Sequence, residues 1–326
     1  MEIGVLGGGS WGTALSLILS DNNNKIHLWS RTFKSEQKLN FFKYFDDIKI
    51  PQNISLTSSI SDILNKKIIF LALPSHSISS ILKYQEINSD SIIINGSKGF
   101  DLDTNKRLSE MILDIKPNLK MDNIIYLTGP SHAEEIIKKT PTAVIAAGVS
   151  KENTKLAQSI LSNNYFRVYQ SDDIIGAEIG AACKNIISIA SGICIGLNYG
   201  DNTIASLISR GLQEIVRLGL FMGAKKETFY GLSGIGDLSV TAFSKFSRNR
   251  KFGEAIGQGK NMKKALNQIG MIVEGVNATS IVYKISKKHK ISMPIVNEVY
   301  SILFDNKNPK SAINDLMERK LTIETI

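Results

Sequence analysis

A single lysine stands inside a long, almost wholly apolar stretch of the chain. Residues 176–197 read GAEIGAACKNIISIASGICIGL, where Lys184 and Asn185 interrupt a run of small and aliphatic residues. The isoleucine spacing predicts a helix that is buried around most of its circumference. An ammonium held there can stabilise negative charge and donate a proton, as a general acid does. The alternative is a structural lysine that reaches solvent from a helix end or contacts a buried carboxylate.

Glycines near the start of the chain have the spacing of a dinucleotide-binding turn. Gly7, Gly9 and Gly12 fit the pattern G-x-G-x-x-G, between a predicted strand at residues 2–6 and a predicted helix at about 11–19. Glycines at these places allow a tight turn, close approach of the backbone to a pyrophosphate, and close packing of helix on strand. The helix N-terminus then offers its free N–H groups to phosphate. This context predicts dinucleotide binding.

The end of the second predicted strand, at residues 25–30, indicates which nucleotide is bound. An NAD-binding domain usually carries a carboxylate there, which holds the ribose 2′-hydroxyl. This chain has no Asp or Glu at that point, and the strand leads into Ser30 and Arg31. Because a guanidinium can bind a 2′-phosphate that a carboxylate would repel, the sequence favours NADPH, or at least tolerance of it. The alternative is that Arg31 is an ordinary solvated residue.

Polar clusters follow the predicted strands of this N-terminal half. Further strands are predicted at 68–73, 92–95, 124–127, 143–147 and 165–168, which indicates a doubly wound, mainly parallel α/β sheet. Ligands bind beyond the carboxyl ends of such strands, where this chain has Pro74-Ser75-His76, Gly96-Ser97-Lys98-Gly99 and Gly129-Pro130-Ser131-His132-Ala133. The glycines beside Lys98 would let its ammonium turn into the crevice, although a lone loop lysine is usually solvated. His76 and His132 lack metal-ligand spacing, so no metal site is predicted.

Only helical periodicity follows from about Asp173 onward. The predicted domains are therefore 1–172, which binds the dinucleotide, and 173–326, which is all-helical, with helices at 176–197, 202–222, 275–289, 293–304 and 308–318 and shorter ones between. Two glycines precede Asp237, which could pair with a lysine. Ser247, Arg248 and Asn249 predict a helix start whose serine cap and guanidinium suit a phosphate. Taken singly, each of these features is more often a cap, a turn or a surface charge.

The composition is that of a globular protein in a reducing compartment. The 326 residues are 43% hydrophobic and carry a net charge of +9, from lysines scattered without a basic run, so nucleic acid is not an expected partner. Cys183 and Cys194 would lie roughly 16 Å apart on a helix, beyond disulfide reach. No signal peptide is predicted, and only the polar-interrupted 176–197 helix has the length of a membrane span. The expected location is cytoplasmic, without a membrane span.

Several motifs, in this order, resemble those of bacterial NAD(P)-dependent glycerol-3-phosphate dehydrogenases: GGGSWGTAL, NGSKGF, LTGPSHAEE, AACKNIISIASGICIGLNYGDNTIASLISRGLQEI, GLSGIGDLSVT, SRNRKFG and VEGVNA. The resemblance spans the chain from Gly4 to about Ala278. It implies a Rossmann domain followed by an all-α substrate domain, with NADP(H) or NAD(H) as cofactor. It also implies reversible reduction of dihydroxyacetone phosphate to sn-glycerol 3-phosphate, the head-group precursor of phospholipids. A homodimer is an assembly that the sequence allows, but the sequence does not determine the oligomeric state.

The resemblance and the glycine turn together assign roles to individual residues. Lys184 matches the proton donor, and Lys98 and Asp237 are the other expected catalytic residues. The expected cofactor contacts are Gly7, Gly9, Ser10, Trp11, Gly12, Arg31, Lys98, Ala133, Arg248, Ile272 and Glu274. The expected substrate contacts are Lys98, Gly129, Ser131, Lys184, Asn185, Asp237, Thr241, Ser247, Arg248 and Asn249. Thr32 stands where relatives often have a second basic residue, which leaves the strength of the NADPH preference open.

Lys184 is expected in the crevice between the two domains. Desolvation, with Lys98 and Arg248 nearby, should lower its pKa, and Asp237 would oppose this if it is close. Replacing Lys184 by Met should then leave the melting temperature near that of the wild type, because a costly buried charge is removed.

Two other functions stay open at this point. A hydroxy-acid dehydrogenase would share the glycine turn and the helix lysine, but would carry a carboxylate site in place of the phosphate cluster at 247–249. A catalytically silent NADP-binding sensor would be expected to lack Lys184 or Lys98, and both are present.

We expect Arg31→Ala to weaken the binding of NADPH more than that of NADH, because only NADPH carries the 2′-phosphate. The ratio of the two Kd values should change by about tenfold or more, the worth of one charge-assisted hydrogen bond. Calorimetric titration with each cofactor measures it. An equal loss for both cofactors would mean that Arg31 contacts the adenine or is only structural.

Overall fold

The computed structural model describes residues 1–33, 41–42, 44–321 and 323–324, without the side chains of residues 41 and 46. The chain divides into two compact units, Met1–Ile174 and Ile175–Ile326. The predicted boundary lies at 172. Residues 34–40 and 43 of the predicted first domain, and 322, 325 and 326 of the second, lie outside the described residues.

A mainly parallel sheet forms the centre of the first unit. The described strands of this unit are β1 (Glu2–Leu6), β2 (Lys25–Trp29), β3 (Phe41–Phe42), β4 (Phe45–Lys49), β5 (Ile54–Thr57), β6 (Ile68–Leu71), β7 (Ile92–Asn95), β8 (Ile124–Thr128), β9 (Thr142–Ala147) and β10 (Phe166–Ser171). Eight of them form one sheet in the order β10-β9-β8-β7-β6-β1-β2-β5, and β3 pairs with β4 separately. Neighbours in the large sheet are parallel except β8 and β9, which are antiparallel. The predicted fold class is confirmed.

Helices connect these strands, and the central strands are buried. The helices of this unit are α1 (Ser10–Asp21), α2 (Ser61–Leu64), α3 (Ser75–Leu82), α4 (Leu108–Ile115), α5 (Ala133–Ile136) and α6 (Lys151–Leu161), with a 3₁₀ turn at Met121–Asn123. Strands β6, β7 and β8 are buried at every residue. Continuous aliphatic runs of this kind are typical of strands covered on both faces.

The sequence prediction missed three short strands. Strand β4 reads FDDIK, which does not alternate, and strand β5 reads ISLT, which alternates over only four residues, the shortest run that indicates a strand. Their strand conformation depends on pairing with β3 and β2, which is a tertiary effect. The predicted strand at 68–73 ends earlier, at Leu71, and the one predicted at 165–168 is Phe166–Ser171.

In the described residues of the second unit the regular elements are all helical, as predicted from residue 173 onward. They are α7 (Ile174–Gly196), α8 (Asp201–Phe221), α9 (Asp237–Phe243), α10 (Arg248–Gly257), α11 (Met262–Ile269), α12 (Glu274–His289), α13 (Pro294–Phe304) and α14 (Pro309–Met317), with a 3₁₀ turn at Lys226–Tyr230 and a π turn at Leu232–Gly236. Asn261 and Asn308 cap α11 and α14 through their side chains, and prolines begin α13 and α14. These local signals explain why the sequence predicted the helix ends well.

Helices α7 and α10 run in the same direction and touch through glycines. A methyl group at Gly192 or Gly196 would overlap the carbonyl oxygens of Arg250 or Glu254. A methyl group at Gly253 or Gly257 would likewise overlap backbone carbonyls of α7. Because this contact is backbone against backbone, side chains near the start of α10 reach those in the middle of α7.

Helix α7 is also the one helix among the described residues that is long and apolar enough to cross a membrane, and 89% of its apolar window is buried inside the protein. Its cysteines are free and buried, as predicted. Burial raises the pKa of Cys194 to about 11 and that of Cys183 further. Both are therefore thiols at neutral pH, and neither is suited to act as a nucleophile.

A buried glutamate joins α8 to α13. Glu214 lies on α8 and is 1% exposed, and its two carboxylate oxygens accept the N–H groups of Ile295 and Val296, at 2.7 and 3.1 Å. These donors belong to the first turn of α13, where backbone N–H groups lack partners within the helix. Burial raises the pKa of Glu214 to about 7, against the two backbone hydrogen bonds and the charges of Arg217 and Arg319, which lower it.

We expect Glu214 to make the stability of the protein depend on pH. Between 4.5 and about 7 the native state holds a proton on Glu214 that the unfolded chain has released. The free energy of unfolding should therefore be larger at the acidic end of this window and fall as the pH rises, by up to about 1.4 kcal/mol per pH unit. Urea denaturation at pH 5, 6 and 7 measures the slope.

Glu214→Gln should flatten this slope, whereas Glu318→Gln, at an exposed carboxylate, should leave it unchanged. An unchanged slope in Glu214→Gln would assign the pH dependence to other groups.

Candidate functional site

The glycine turn of the first unit has the geometry that a dinucleotide needs. Gly7 has a φ of 126°, a conformation that side chains disfavour. A methyl group at Gly12 would overlap the carbonyl of Gly7, so helix α1 packs tightly on the turn. At Gly9, by contrast, a methyl group would meet no described atom within 4 Å, so a ligand can approach this backbone closely. No described side chain caps α1 at Gly9, and its first turn contains no acidic residue.

Trp11 lies on the first turn of α1, beside the end of β7. Its indole Nε1 is buried and has no hydrogen-bond partner among the described residues, and the same is true of Asn95 Nδ2. A buried donor without a partner is costly, and a ligand atom can satisfy it. These orphan donors and the open N-terminus of α1 fit a bound nucleotide.

Arg31 follows β2 at the position where the sequence analysis predicts a contact with the nucleotide ribose. It is exposed, as is Thr32, whose hydroxyl lies 3.2 Å from that of Ser30. The strand ends in buried Trp29, whose indole donates to the carbonyl of Ser58 at 2.9 Å. An exposed guanidinium directly after this fixed strand end fits the predicted contact with a 2′-phosphate.

Lys98 and the loop after β8 lie together in the first unit. Lys98 Nζ donates to the carbonyl of Gly129 at 3.3 Å, and Ser131 Oγ donates to the same oxygen at 2.8 Å. Tyr126 holds the segment before Lys98 in place, since its buried hydroxyl donates to the carbonyl of Ser97 at 2.8 Å. Sequence reasoning did not select Tyr126, because its inward orientation depends on the sheet. Ala133 begins the short helix that follows this loop.

In the second unit, Lys184 is buried and paired with a carboxylate. Lys184 is 5% exposed and Asp237 is 1% exposed, and Lys184 Nζ donates to Asp237 Oδ1. It also donates to Thr241 Oγ1 at 2.8 Å, and this hydroxyl donates to the carbonyl of Asp237 at 2.6 Å. The predicted pairing of Asp237 with a lysine is thus confirmed. The nearby carboxylate favours the charged ammonium, as the sequence analysis allowed.

Helix α10 begins where the sequence analysis predicts a helix start. Ser247 caps this helix by accepting the N–H of Arg250 at 3.2 Å, as predicted. Arg248 is the first helical residue, and its guanidinium donates to the carbonyl of Ile272 at 3.0 Å. The first turn of α10 therefore offers backbone N–H groups and the positive end of the helix dipole, and its first residue carries a guanidinium.

Asn249 links this helix start to two other elements. Its amide Nδ2 donates to Asn185 Oδ1 at 2.9 Å, and its Oδ1 accepts the N–H of Gly275 at 2.9 Å. Gly275 follows Glu274, the first residue of α12. The second unit thus brings together the predicted residues Lys184, Asn185, Asp237, Thr241, Ser247, Arg248, Asn249, Ile272 and Glu274.

Ser188 belongs to the same cluster, but the sequence analysis did not select it. It is fully buried, and its hydroxyl lies 2.8 Å from the carbonyl oxygen of Thr241 and 3.0 Å from Ser247 Oγ. Its position one turn after Lys184 was the signal that could have identified it. In the part of the chain that the structure describes, no three His, Cys, Asp or Glu side chains form a group that could hold a metal ion.

Comparison with known proteins identifies the family. The family models for the N-terminus and the C-terminus of NAD-dependent glycerol-3-phosphate dehydrogenase match residues 2–155 and 173–314. Together they cover most of the chain. The chain belongs to the NAD(P)-dependent glycerol-3-phosphate dehydrogenase family.

Individual members of this family are similar over their whole length. The glycerol-3-phosphate dehydrogenase [NAD(P)+] of Thermoanaerobacter sp. (strain X514) is 43% identical over 98% of this chain and 97% of its own. That of Clostridium botulinum (strain Alaska E43 / Type E3) is 43% identical over 98% of both chains. The crystal structure of glycerol-3-phosphate dehydrogenase from Coxiella burnetii has a TM-score of 0.92 at 34% identity, covering 98% of this chain and 99% of that one. The resemblance stated from the motifs is confirmed.

Proposed function

We propose that the chain catalyses the reversible reduction of dihydroxyacetone phosphate to sn-glycerol 3-phosphate. Membership of the family supports the reaction class. The observation that carries the proposal is the buried Lys184–Asp237 pair, which the second unit holds together with the anion-binding start of α10. This arrangement combines a proton donor with a phosphate site, as reduction of a phosphorylated ketone requires.

The first unit holds the cofactor in this proposal. The backbone at Gly9 and the N-terminus of α1 would bind the pyrophosphate, with Trp11 beside it and Arg31 on the 2′-phosphate. When bound, the nicotinamide supplies the hydride. Exposed Arg31 supports a preference for NADPH, with NADH also accepted.

Lys184 is the proposed general acid. Negative charge grows on the carbonyl oxygen as the ketone is reduced, and an ammonium placed there stabilises this charge and donates its proton. Asp237 and Thr241 hold Nζ in a defined place, so little reorganisation is needed at the moment of reaction. Lys98, whose Nζ lies at the loop of Gly129 and Ser131, is proposed to contact substrate and cofactor.

The start of α10 is the proposed phosphate site. Its N–H groups and the Arg248 guanidinium offer charge-assisted hydrogen bonds to the phosphate dianion. Binding energy gained at the phosphate can then orient the carbonyl toward Lys184, because both groups belong to one packed unit. A hydroxy-acid dehydrogenase would not need such a phosphate site, because its substrate carries a carboxylate instead.

The wider biological setting is part of the same proposal. The product suggests a supply role in phospholipid synthesis, and buried free thiols together with the burial of α7 support a cytoplasmic location without a membrane span. The homodimeric assembly stays a prediction, as does the expectation that the protein does not bind nucleic acid. So do the contacts of Ala133, Ile272 and Glu274 with the cofactor.

We expect the purified protein to oxidise NADPH when dihydroxyacetone phosphate is present, and only poorly with dihydroxyacetone, which lacks the phosphate. Arg248→Ala should raise KM for the phosphorylated ketone by about tenfold or more, because a charge-assisted contact of about 1.5–3 kcal/mol is lost. The rate of NADPH oxidation, followed by its absorbance at saturating NADPH, measures the activity with each ketone and the KM. Equal rates with the two ketones, or activity confined to a hydroxy-acid panel, would overturn the proposal.

We expect Lys184→Met to lower kcat by about 10²–10⁴-fold, the usual worth of general acid catalysis. We replace the expectation of an unchanged melting temperature, because Asp237 is buried and loses its cation in this variant. Breaking a buried pair from one side costs about 3–5 kcal/mol, so the melting temperature should fall. Lys184→Met/Asp237→Asn should regain stability but not turnover. If Lys184→Met alone keeps a near wild-type kcat per folded molecule, another residue donates the proton, and Lys98 is the next candidate.

A further inference from the structure

Two buried serines on α7 contact the end of α9. Ser188 donates to the carbonyl of Thr241 at 2.8 Å, and Ser191 donates to the carbonyl of Ala242 at 3.0 Å. Both serines are fully buried. The carbonyls belong to the last turn of α9, where backbone acceptors lack partners within the helix. Each serine therefore satisfies a buried acceptor that would otherwise be unpaired.

Among the described residues, Ser188 makes a second contact that has no counterpart at Ser191. Its Oγ lies 3.0 Å from Oγ of Ser247, the capping residue of α10. A hydroxyl has one proton and two acceptor lone pairs. Because Ser188 gives its proton to the carbonyl of Thr241, which can only accept, Ser247 must be the donor in the contact between the two serines.

This assignment determines what Ser247 can do. Its proton points at Ser188, and one of its lone pairs accepts the N–H of Arg250 at 3.2 Å. Ser247 therefore has no proton left for an anion in front of the helix. The donors for the anion are instead the backbone N–H groups and the guanidinium of Arg248.

We infer that Ser188 is a positioning residue, which holds the Ser247 hydroxyl in its capping orientation and thereby fixes the anion-binding start of α10 relative to Lys184. The inference rests on the proposed function. Ser188 is fully buried, so it acts through Ser247 and not on the substrate directly. It lies one turn from Lys184 on the same helix, so a single element carries the proton donor and the support of the phosphate site.

The test compares Ser188→Ala with Ser191→Ala. Each variant removes a buried hydroxyl from α7 and leaves a carbonyl of α9 unpaired, but only Ser188→Ala frees the Ser247 hydroxyl. We expect Ser188→Ala to raise KM for dihydroxyacetone phosphate by about three- to tenfold, the worth of one neutral hydrogen bond, with a smaller change in kcat and none in KM for NADPH. Ser191→Ala should keep both KM values.

A double-mutant cycle tests whether Ser188 acts through Ser247. In a Ser247→Ala background, Ser188→Ala should raise KM no further. Equal effects of the two serine variants, or additive effects in the cycle, would overturn the inference. Ser188→Cys, of similar size but with a weaker donor, carries the same test should the alanine variant not fold. A wild-type protein without activity toward dihydroxyacetone phosphate would instead refute the proposed function, and binding of inorganic phosphate by the same variants would then test the positioning role.

Discussion

The backbone contact between α7 and α10 is the constraint on which the second unit depends. Glycines at 192 and 196 face glycines at 253 and 257, and no larger residue would fit at this crossing. Because the two helices run in the same direction, the positive end of the α10 dipole comes to lie beside the middle of α7. For this reason the capping serine contacts Ser188, one turn from the buried lysine. The α7–α10 contact sets the relative position of the two helices, and the polar contacts around these residues then orient their side chains.

A buried ion pair within this packing is an expensive feature for stability alone. Lys184 and Asp237 both lose their hydration, and a well-packed apolar pair of the same size would often be at least as stable. The surrounding polar groups reduce the cost, since Thr241 accepts from the lysine and donates to the backbone of Asp237. A costly polar cluster in an otherwise aliphatic helix is expected where function, and not folding, determines the residues.

The prediction from sequence was accurate where the signals are local. The burial of 92–95, the glycine turn before α1 and the serine cap at 247 each depend on residues within one or two turns of chain. It failed for strands such as Ile54–Thr57, where few apolar residues mark the element. It also missed Ser188 and Glu214, because a buried serine or glutamate on a helix has no local pattern that reveals its partner.

The sequence by itself determined the two kinds of domain, the nucleotide-binding turn and most of the residues that the proposed site contains. These follow from periodicity, capping and motif spacing, which act over short distances along the chain. Only the tertiary structure decided which groups pair. Lys184 meets Asp237 across 53 positions, Ser188 meets Ser247 across 59, and Glu214 meets α13 across 81. Such contacts depend on how closely two helices pack. That packing is set by the shapes of both helices, so the sequence of one segment does not reveal it.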